Sequence, residues 1–295
     1  MTTFARSKLA VLFALAIAFG IQSHTVLAEE APKNEPLDEA SQSRPLWEAG
    51  LAGLVIKQLA YPGSSVQTDN LLLLPYGIYR GPVVRAEREG FSVRTIRNPR
   101  YEINLGVAAA FGTDTADISV REGMPDLGFL AEVGPMLIVR LGRIDSLPST
   151  SKHNWSLQLP VRTVWDFTHL RYRGISFEPR VVYRSNLAGK LDFLATAGVL
   201  LGTRRLSEHF YSVDDKFAND DRAAYEASSG LISSRINLTL GYRVRPDLRL
   251  VTFWRGESIS GAQNEDSPLA DATNGWTAGV GFSWQVFKSL DAGSE

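Results

Sequence analysis

Residues 276–286 read WTAGVGFSWQV, and every second residue of this stretch is apolar. Successive side chains of a β-strand point to opposite faces, so the pattern predicts a strand with one apolar and one small or polar face. Soluble strands average about 5–6 residues, whereas a tilted strand that crosses a membrane needs about 9–11. The stretch is long enough for the second case. Its apolar set consists of Trp276, Ala278, Val280, Phe282, Trp284 and Val286.

The same alternation recurs in residues 232–244, 155–167 and 129–141. The last segment is less regular, because Met136 and Ile138 share a face with the polar residues. Tryptophans lie near the ends of several segments, as in the interfacial girdles of outer-membrane barrels. A secreted β-sandwich would also alternate, but such folds seldom contain so many long strands.

Twelve strands can be placed along the chain. The two short strands within residues 82–97 are the least regular, and merging them would leave an odd number of strands. Most long connections follow odd-numbered strands. The exception is 142–153, which follows an even-numbered strand and is long for a periplasmic turn. The sequence therefore predicts an all-β fold, an antiparallel transmembrane β-barrel of about twelve strands with short periplasmic turns and long outer loops. The predicted strands are 47–58, 70–80, 82–88, 90–97, 101–111, 127–141, 154–167, 174–186, 190–202, 231–244, 247–256 and 274–287.

The first 46 residues differ from the rest of the chain. Arg6 and Lys8 precede an uncharged apolar run, and Val26 and Ala28 are the small residues of a cleavage pattern, so residues 1–28 are expected to be a cleaved signal peptide. Residues 29–46 are acidic and proline-bearing, and predict a flexible lead-in. Residues 47–287 would form the barrel and 288–295 a C-terminal tail. The expected location is the outer membrane of a Gram-negative bacterium, with outer-membrane lipid as a partner.

Composition excludes several classes of protein. The 31 Lys and Arg residues balance 32 Asp and Glu residues, which argues against a basic nucleic-acid binder. The chain contains no cysteine, so it has no disulfides and no thiolate metal site. The hydrophobic content of 44% suits a soluble globule and a barrel equally, because lipid-facing and lumen-facing residues offset each other in a barrel.

The polar strand faces carry charges of both signs, which the barrel prediction directs into the lumen. These charges could pair across strands and fill the lumen, or they could line a conduit, in which case an arginine-rich lining would favour anions. The candidate lumen charges are Glu102, Glu132, Arg140, Arg162, Asp166, Glu178, Arg180, Arg184, Asp192, Arg235 and Arg243.

Residues typical of catalysis are sparse. His153, His169 and His209 lack the spacing of a metal pair, and no phosphate-binding glycine loop is present. Ser207 lies two residues from His209, with Asp214 nearby, but triad members usually come from separate elements. We therefore expect a non-enzymatic protein with no catalytic residues, no cofactor and no metal. The long segment 203–230 mixes charges with aromatics, and suits either protein contacts or a solvated loop.

Several short motifs together resemble the MipA/OmpV family of outer-membrane proteins. The most specific are REGMPDL at 121–127 and EVGP at 132–135. The others, in chain order, are YPGS at 61–64, LPY at 74–76, YRG at 79–81, RAEREG at 85–90, HFYSV at 209–213 and YEA at 225–227.

The resemblance implies a non-enzymatic barrel that scaffolds cell-wall (peptidoglycan) biosynthesis. Its implied partners are a lytic murein transglycosylase and a murein synthase. Other members of the family resemble surface adhesins or affect envelope permeability, so an adhesin and an outer-membrane channel with an arginine-rich lumen remain open alternatives.

Overall fold

The structure, a computed structural model, describes residues 46–80, 84–87, 90–97, 100–110, 118–143, 151–187 and 189–289. The proposed signal peptide and most of both the lead-in and the C-terminal tail lie outside these residues. Lys288, predicted to begin the tail, is the last residue of a strand. Thirteen strands form one antiparallel sheet. They are Trp47–Leu59 (β1), Gln67–Arg80 (β2), Val84–Glu87 (β3), Gly90–Arg97 (β4), Tyr101–Ala110 (β5), Leu130–Arg143 (β6), Ser151–Asp166 (β7), Arg171–Phe177 (β8), Arg180–Leu187 (β9), Leu191–Gly202 (β10), Gly230–Arg245 (β11), Leu248–Ser258 (β12) and Asn274–Lys288 (β13).

β8 and β9 are two parts of one barrel strand. Val161 faces Phe177 and Gln158 faces Arg180, so the pairing with β7 continues without a shift from β8 into β9. β10 also pairs with both parts. The strand is interrupted at residues 178–179, where Pro179 and the neighbouring Pro160 supply no N–H group to the ladder. Among the described residues, the thirteen strands therefore occupy twelve positions around the barrel, as predicted.

The sheet closes on itself. Each barrel strand pairs with the next along the chain, and β13 pairs with β1 over most of its length. A closed ring of this kind leaves no strand edge unpaired, which is a requirement for crossing a membrane. Residues 82–97, whose strand number was uncertain from the sequence, contain two paired strands, β3 and β4. The unusually long connection at 142–153 shrinks to residues 144–150, which lie outside the described ranges, because β6 and β7 both extend further than predicted.

The two ends of the barrel differ. The loop end carries segments 60–66, 118–129, 203–229 and 259–273, and the turn end carries the start of β1, the end of β13 and residues 189–190 and 246–247. This separation follows the predicted alternation of long and short connections. One α-helix, Arg204–Tyr211 (α1), lies at the loop end. None of the helices in the described part of the chain is long and apolar enough to cross a membrane.

The outer surface of the barrel is an apolar band between two aromatic girdles. The alternation seen in residues 276–286 is present in β13, where Val280 and Phe282 face outward and Gly281 is buried. On β7, exposed Trp155 and Trp165 are ten residues apart, or about 34 Å along the strand. A tilt of about 40° reduces this to about 25 Å, which is the height of the apolar band of outer-membrane barrels.

Candidate functional site

The loops at the loop end pack together into an apolar cap over the barrel. The core of the cap joins residues from segments 60–66, 118–129 and 203–229, and partly buried Phe210 and Tyr225 pack against it. A second, smaller group of Met124, Val213 and Leu269 adds the fourth segment, 259–273. The buried cap core consists of Ala60, Tyr61, Ile118, Leu127, Leu206, Tyr211 and Ala227, with Leu130, Val164, Leu200 and Ile232 from the barrel wall beneath it.

Hydrogen bonds from buried side chains to backbone carbonyls connect the loops. Tyr61 donates its hydroxyl to Leu269 O at 2.5 Å, and Tyr211 donates to Pro62 O at 2.9 Å. Arg121, 4% exposed, donates from Nη1 to Phe210 O at 2.9 Å. Such bonds satisfy carbonyl groups that the loops would otherwise bury without partners, so they fix the loops relative to one another.

Arg222 links two of the loop segments in the same way. Its Nη1 donates to Val120 O at 2.9 Å and to Glu122 O at 3.1 Å, while its Nε donates to Phe217 O at 2.9 Å. A guanidinium can serve several acceptors at once because its five N–H groups form a rigid fork. The sequence offered no signal for this role, since Arg222 lies in a loop with no strand or helix periodicity.

The cap is built largely from the family motifs found in the sequence. Tyr61 belongs to YPGS, Arg121 and Leu127 to REGMPDL, Tyr211 to HFYSV and Ala227 to YEA, and each of these residues is buried in the cap. The motif EVGP lies on β6, directly below it. These motifs therefore specify how the loop end is covered.

Burial in the cap favours the uncharged forms of Tyr61 and His209. Burial raises the pKa of Tyr61 to about 12. Burial also lowers the pKa of His209 to about 3, and the positive charges of Arg173 and Arg121 act in the same direction. No hydrogen-bond partner is present for His209 Nε2 among the described residues. Burial of His209 in the cap therefore favours its neutral form.

We expect the stability of the protein to fall as the pH drops from about 6.5 towards about 3. The pKa of His209 is lower in the folded than in the unfolded state, so the unfolded state binds more protons in this window and is favoured by acid. The measurement is the thermal unfolding midpoint of the detergent-solubilised protein between about pH 8 and about pH 4. His209→Phe should flatten this dependence, and Asp214→Asn, at an exposed residue of the same loop, should leave it unchanged. Equal slopes in wild type and His209→Phe would contradict the prediction.

An apolar layer separates the cap from the charges below it. Leu130 and Val164 point into the barrel and are 6% and 0% exposed, and Leu200 and Ile232 lie at the same end of the neighbouring strands. Glu132 and Arg162 are each two residues closer to the turn end, one pleat repeat further down the lumen. In the described part of the chain, the cap and this layer cover the loop end of the lumen.

A row of residues crosses five adjacent strands below this layer. In order around the barrel these residues are Gln158, Arg180, Gly198, Arg235 and Glu257. Glycine is required in the middle of the row, because a Cβ at position 198 would lie 2.4 Å from Pro179 O and 2.6 Å from Arg180 Cβ. The missing side chain lets the two arginines extend into the lumen side by side.

We name the charged residues of this region the lumen cluster: Glu132, Arg162, Glu178, Arg180, Arg235, Arg255 and Glu257. Glu178 lies among three arginines, with its carboxylate 3.9 Å from Arg162 Nη1 and 3.6 Å from Arg180 Nη1. Arg235 Nη1 lies 3.8 Å from the same carboxylate. These are ion-pair distances, longer than those of hydrogen bonds.

The strongest contacts of the lumen cluster join β11 and β12. Arg235 places Nε and Nη2 each 2.7 Å from Glu257 Oε1, and the Ser233 hydroxyl donates to the same oxygen at 2.5 Å. The side chain of Glu132, in contrast, remains 24% exposed. Solvent therefore reaches the Glu132 side chain inside the barrel wall.

The other candidate lumen charges lie above or below the lumen cluster. Near the loop end, fully buried Asp166 pairs with Arg173 at 2.5 Å and with His169 at 2.9 Å. Further ion pairs lie towards the turn end, where Arg184 also points inward from β9 and Arg243 is exposed. Those pairs are Arg140 with Glu102 at 2.6 Å and Arg249 with Asp192 at 2.7 Å.

In the described ranges, five lumen charges were not predicted from the sequence: Glu48, Arg173, Arg249, Arg255 and Glu257. Glu257 lies one residue beyond the predicted end of its strand at 256, so its face was not assigned. Arg249 and Arg255 are on the same face of that strand, and continuing the alternation of β12 would have placed both of them inside.

The residues considered for catalysis do not come together. Ser207 and His209 are both buried on α1, yet Ser207 Oγ has no hydrogen-bond partner among the described residues. Asp214 is exposed and lies 3.8 Å from Lys216 Nζ. His169 contacts Asp166 at the barrel rim instead.

The closed sheet, the apolar band and the polar lumen define a transmembrane β-barrel of the outer membrane. The chain belongs to the MipA family, since the family model described as "MltA-interacting protein MipA" matches residues 49–286. A comparison with proteins of curated function found no significant match.

Solved structures with related architecture are outer-membrane proteins of low sequence identity. A bacterial polysaccharide outer membrane secretin is 10% identical, with a TM-score of 0.39, and the match covers 83% of this chain and 99% of the other. An outer membrane channel from Pseudomonas putida F1 is 11% identical, with a TM-score of 0.34, over 85% of this chain and 100% of the other. The closed antiparallel sheet of this chain defines its fold.

Proposed function

We propose that this protein is a non-enzymatic scaffold of the outer membrane that holds a lytic murein transglycosylase close to a murein synthase during peptidoglycan biosynthesis. The observation that carries the proposal is the family match over residues 49–286, because the family description names interaction with the transglycosylase MltA. Catalysis by this chain is not part of the proposal, since Ser207, His209 and Asp214 form no connected group.

The cap supports a scaffold over a channel. A channel needs a continuous path, whereas the described loops and the apolar layer cover the loop end of this lumen. Murein lies on the periplasmic side of the outer membrane, so a murein enzyme would have to dock at the turn end. Exposed charged residues at that end include Lys190, Arg243 and Arg245. β1 begins and β13 ends at the same end, at Trp47 and Lys288.

Binding of a purified lytic murein transglycosylase to the detergent-solubilised, full-length protein tests the proposal. We expect saturable binding in surface plasmon resonance, weakened by charge reversal at the turn end in Lys190→Glu and Arg245→Glu. The matched control is Lys216→Glu, which reverses an exposed charge at the loop end and should bind as wild type does. Absence of binding by wild type, together with steady conductance in planar bilayers, would favour the channel alternative instead.

A further inference from the structure

The lumen cluster contains more guanidinium groups than carboxylates. Four arginines face three glutamates, which leaves one positive charge in excess among these seven residues. Charges inside a protein are stable when they are paired and hydrogen-bonded, and a surplus charge needs a partner of opposite sign. The arginines with the fewest hydrogen-bond and ion-pair partners in the protein are therefore candidates to bind an added anion.

Arg162 is the least satisfied of the four arginines. Its side chain is 8% exposed, and its Nε has no hydrogen-bond partner among the described residues. Its nearest carboxylates, those of Glu132 and Glu178, lie 3.6 Å and 3.9 Å from Nη1. Both distances exceed the 2.7–3.2 Å of an N–H···O hydrogen bond. A buried guanidinium whose Nε–H group has no acceptor is a candidate to receive a further oxygen ligand.

Arg255 and Arg180 leave further donors available in the same region. Each makes one side-chain hydrogen bond through Nε, from Arg255 to Asn237 at 2.7 Å and from Arg180 to Gln158 at 3.0 Å. Arg180 and Arg162 share one carboxylate, since their Nη1 atoms lie 3.6 Å and 3.9 Å from Glu178 Oε2. Arg255 lies on β12 two residues from Glu257, whose partner Arg235 is 3.8 Å from the same Glu178 carboxylate. An anion placed among these guanidinium groups would be attracted by their positive charges.

In the described part of the chain the loop end of the lumen is covered, so an anion would have to reach these arginines from the turn end. The apolar layer and the cap cover the loop end, whereas the lumen towards the turn end is lined by polar pairs. These include Arg140 with Glu102, Arg249 with Asp192, and Gln285 with Glu48. A hydrated anion can exchange its water for such polar groups, which an apolar layer does not permit.

We propose that Arg162, Arg180 and Arg255 form a binding site for a small oxyanion, bearing a phosphate or carboxylate group, that enters the lumen from the turn end. The guanidinium fork matches the geometry of both groups and binds them through charge-assisted hydrogen bonds. The three arginines project from β7, β9 and β12, so they are positioned by rigid strands and not by loops. The oxyanion site does not depend on the scaffold function, so the test of one does not decide the other.

Isothermal titration calorimetry on the detergent-solubilised, full-length protein tests this site. Inorganic phosphate and acetate are titrated separately at constant ionic strength, with chloride as the reference anion. We expect wild type to bind at least one of the two oxyanions, and the arm that binds identifies the preferred group. Arg162→Gln and Arg255→Gln should each weaken binding by about tenfold or more, because each removes charge-assisted hydrogen bonds.

Arg243→Gln is the matched control, since Arg243 lies on an inward-facing position of β11 but at the exposed turn end, outside the lumen cluster. It should bind as wild type does. If Arg162→Gln does not fold, Arg255→Gln decides the test. The proposal is overturned if wild type shows no heat beyond that of chloride, or if Arg255→Gln binds as tightly as Arg243→Gln.

Discussion

Replacement of Glu257 by glutamine is expected to lower the free energy of unfolding by about 3–5 kcal/mol. The Glu257 side chain is 6% exposed and accepts hydrogen bonds from Arg235 at 2.7 Å and from Ser233 at 2.5 Å. Glutamine preserves the shape but removes the charge, so Arg235 keeps only the 3.8 Å ion pair with Glu178. Breaking one side of a buried ion pair is costly because the remaining charge stays out of water.

Urea unfolding in detergent micelles, followed by tryptophan fluorescence, measures this effect. Asp69→Asn is the control, because Asp69 pairs with Lys57 at 3.4 Å while their side chains are 73% and 45% exposed. Exposed ion pairs contribute less than about 1 kcal/mol. A loss in Glu257→Gln no larger than that in Asp69→Asn would show that the lumen cluster does not stabilise the barrel.

Replacement of Val280 by arginine is expected to destabilise the barrel by about 2–4 kcal/mol in a lipid bilayer. Val280 lies midway between the girdle residues Trp276 and Trp284 and faces Val55 on β1, and both valines are exposed on the outer surface. An arginine at this depth places a charge in hydrocarbon. Near the membrane surface the same substitution costs only about 0–1 kcal/mol.

The measurement is reversible unfolding by urea or guanidinium from phospholipid vesicles. Val286→Arg provides the control, because Val286 is on the same outward face of β13 but lies beyond Trp284, towards the turn end. The difference between the two variants reports depth in the membrane. Equal losses at both positions would contradict the placement of the apolar band.

The barrel could be predicted from the sequence because strand alternation is local. The inward and outward faces of β7, β11 and β13 can be read from the residues of each strand alone. The number of strands can be counted from the alternating segments along the chain. The irregularity at Met136 and Ile138 has a physical reason in the structure, since both side chains are buried inside the barrel and help to fill it. A lumen that is partly apolar does not give a clean polar face.

The cap could not be predicted, because its contacts join residues far apart in the chain. Periodicity gives no information about loops, and Arg121 and Arg222 owe their roles to carbonyl groups in other segments. Five of the seven residues of the lumen cluster were predicted from the sequence, but their pairing was not. Which arginine pairs with which glutamate depends on the register between strands, and no single strand contains that information.

The cap also bears on the order in which the molecule is completed. Tyr61 follows the first strand and Leu269 precedes the last, yet they are joined by a hydrogen bond across 208 residues of sequence. Ser65 and Asp271 connect the same two loops through a side-chain hydrogen bond at 2.5 Å. Contacts of such long range form late, after the intervening chain is in place. The two loops flank the seam where β13 meets β1. Their contacts therefore hold the first and last strands together once the ring is complete. Separating these two strands would require the contacts between the loops to break.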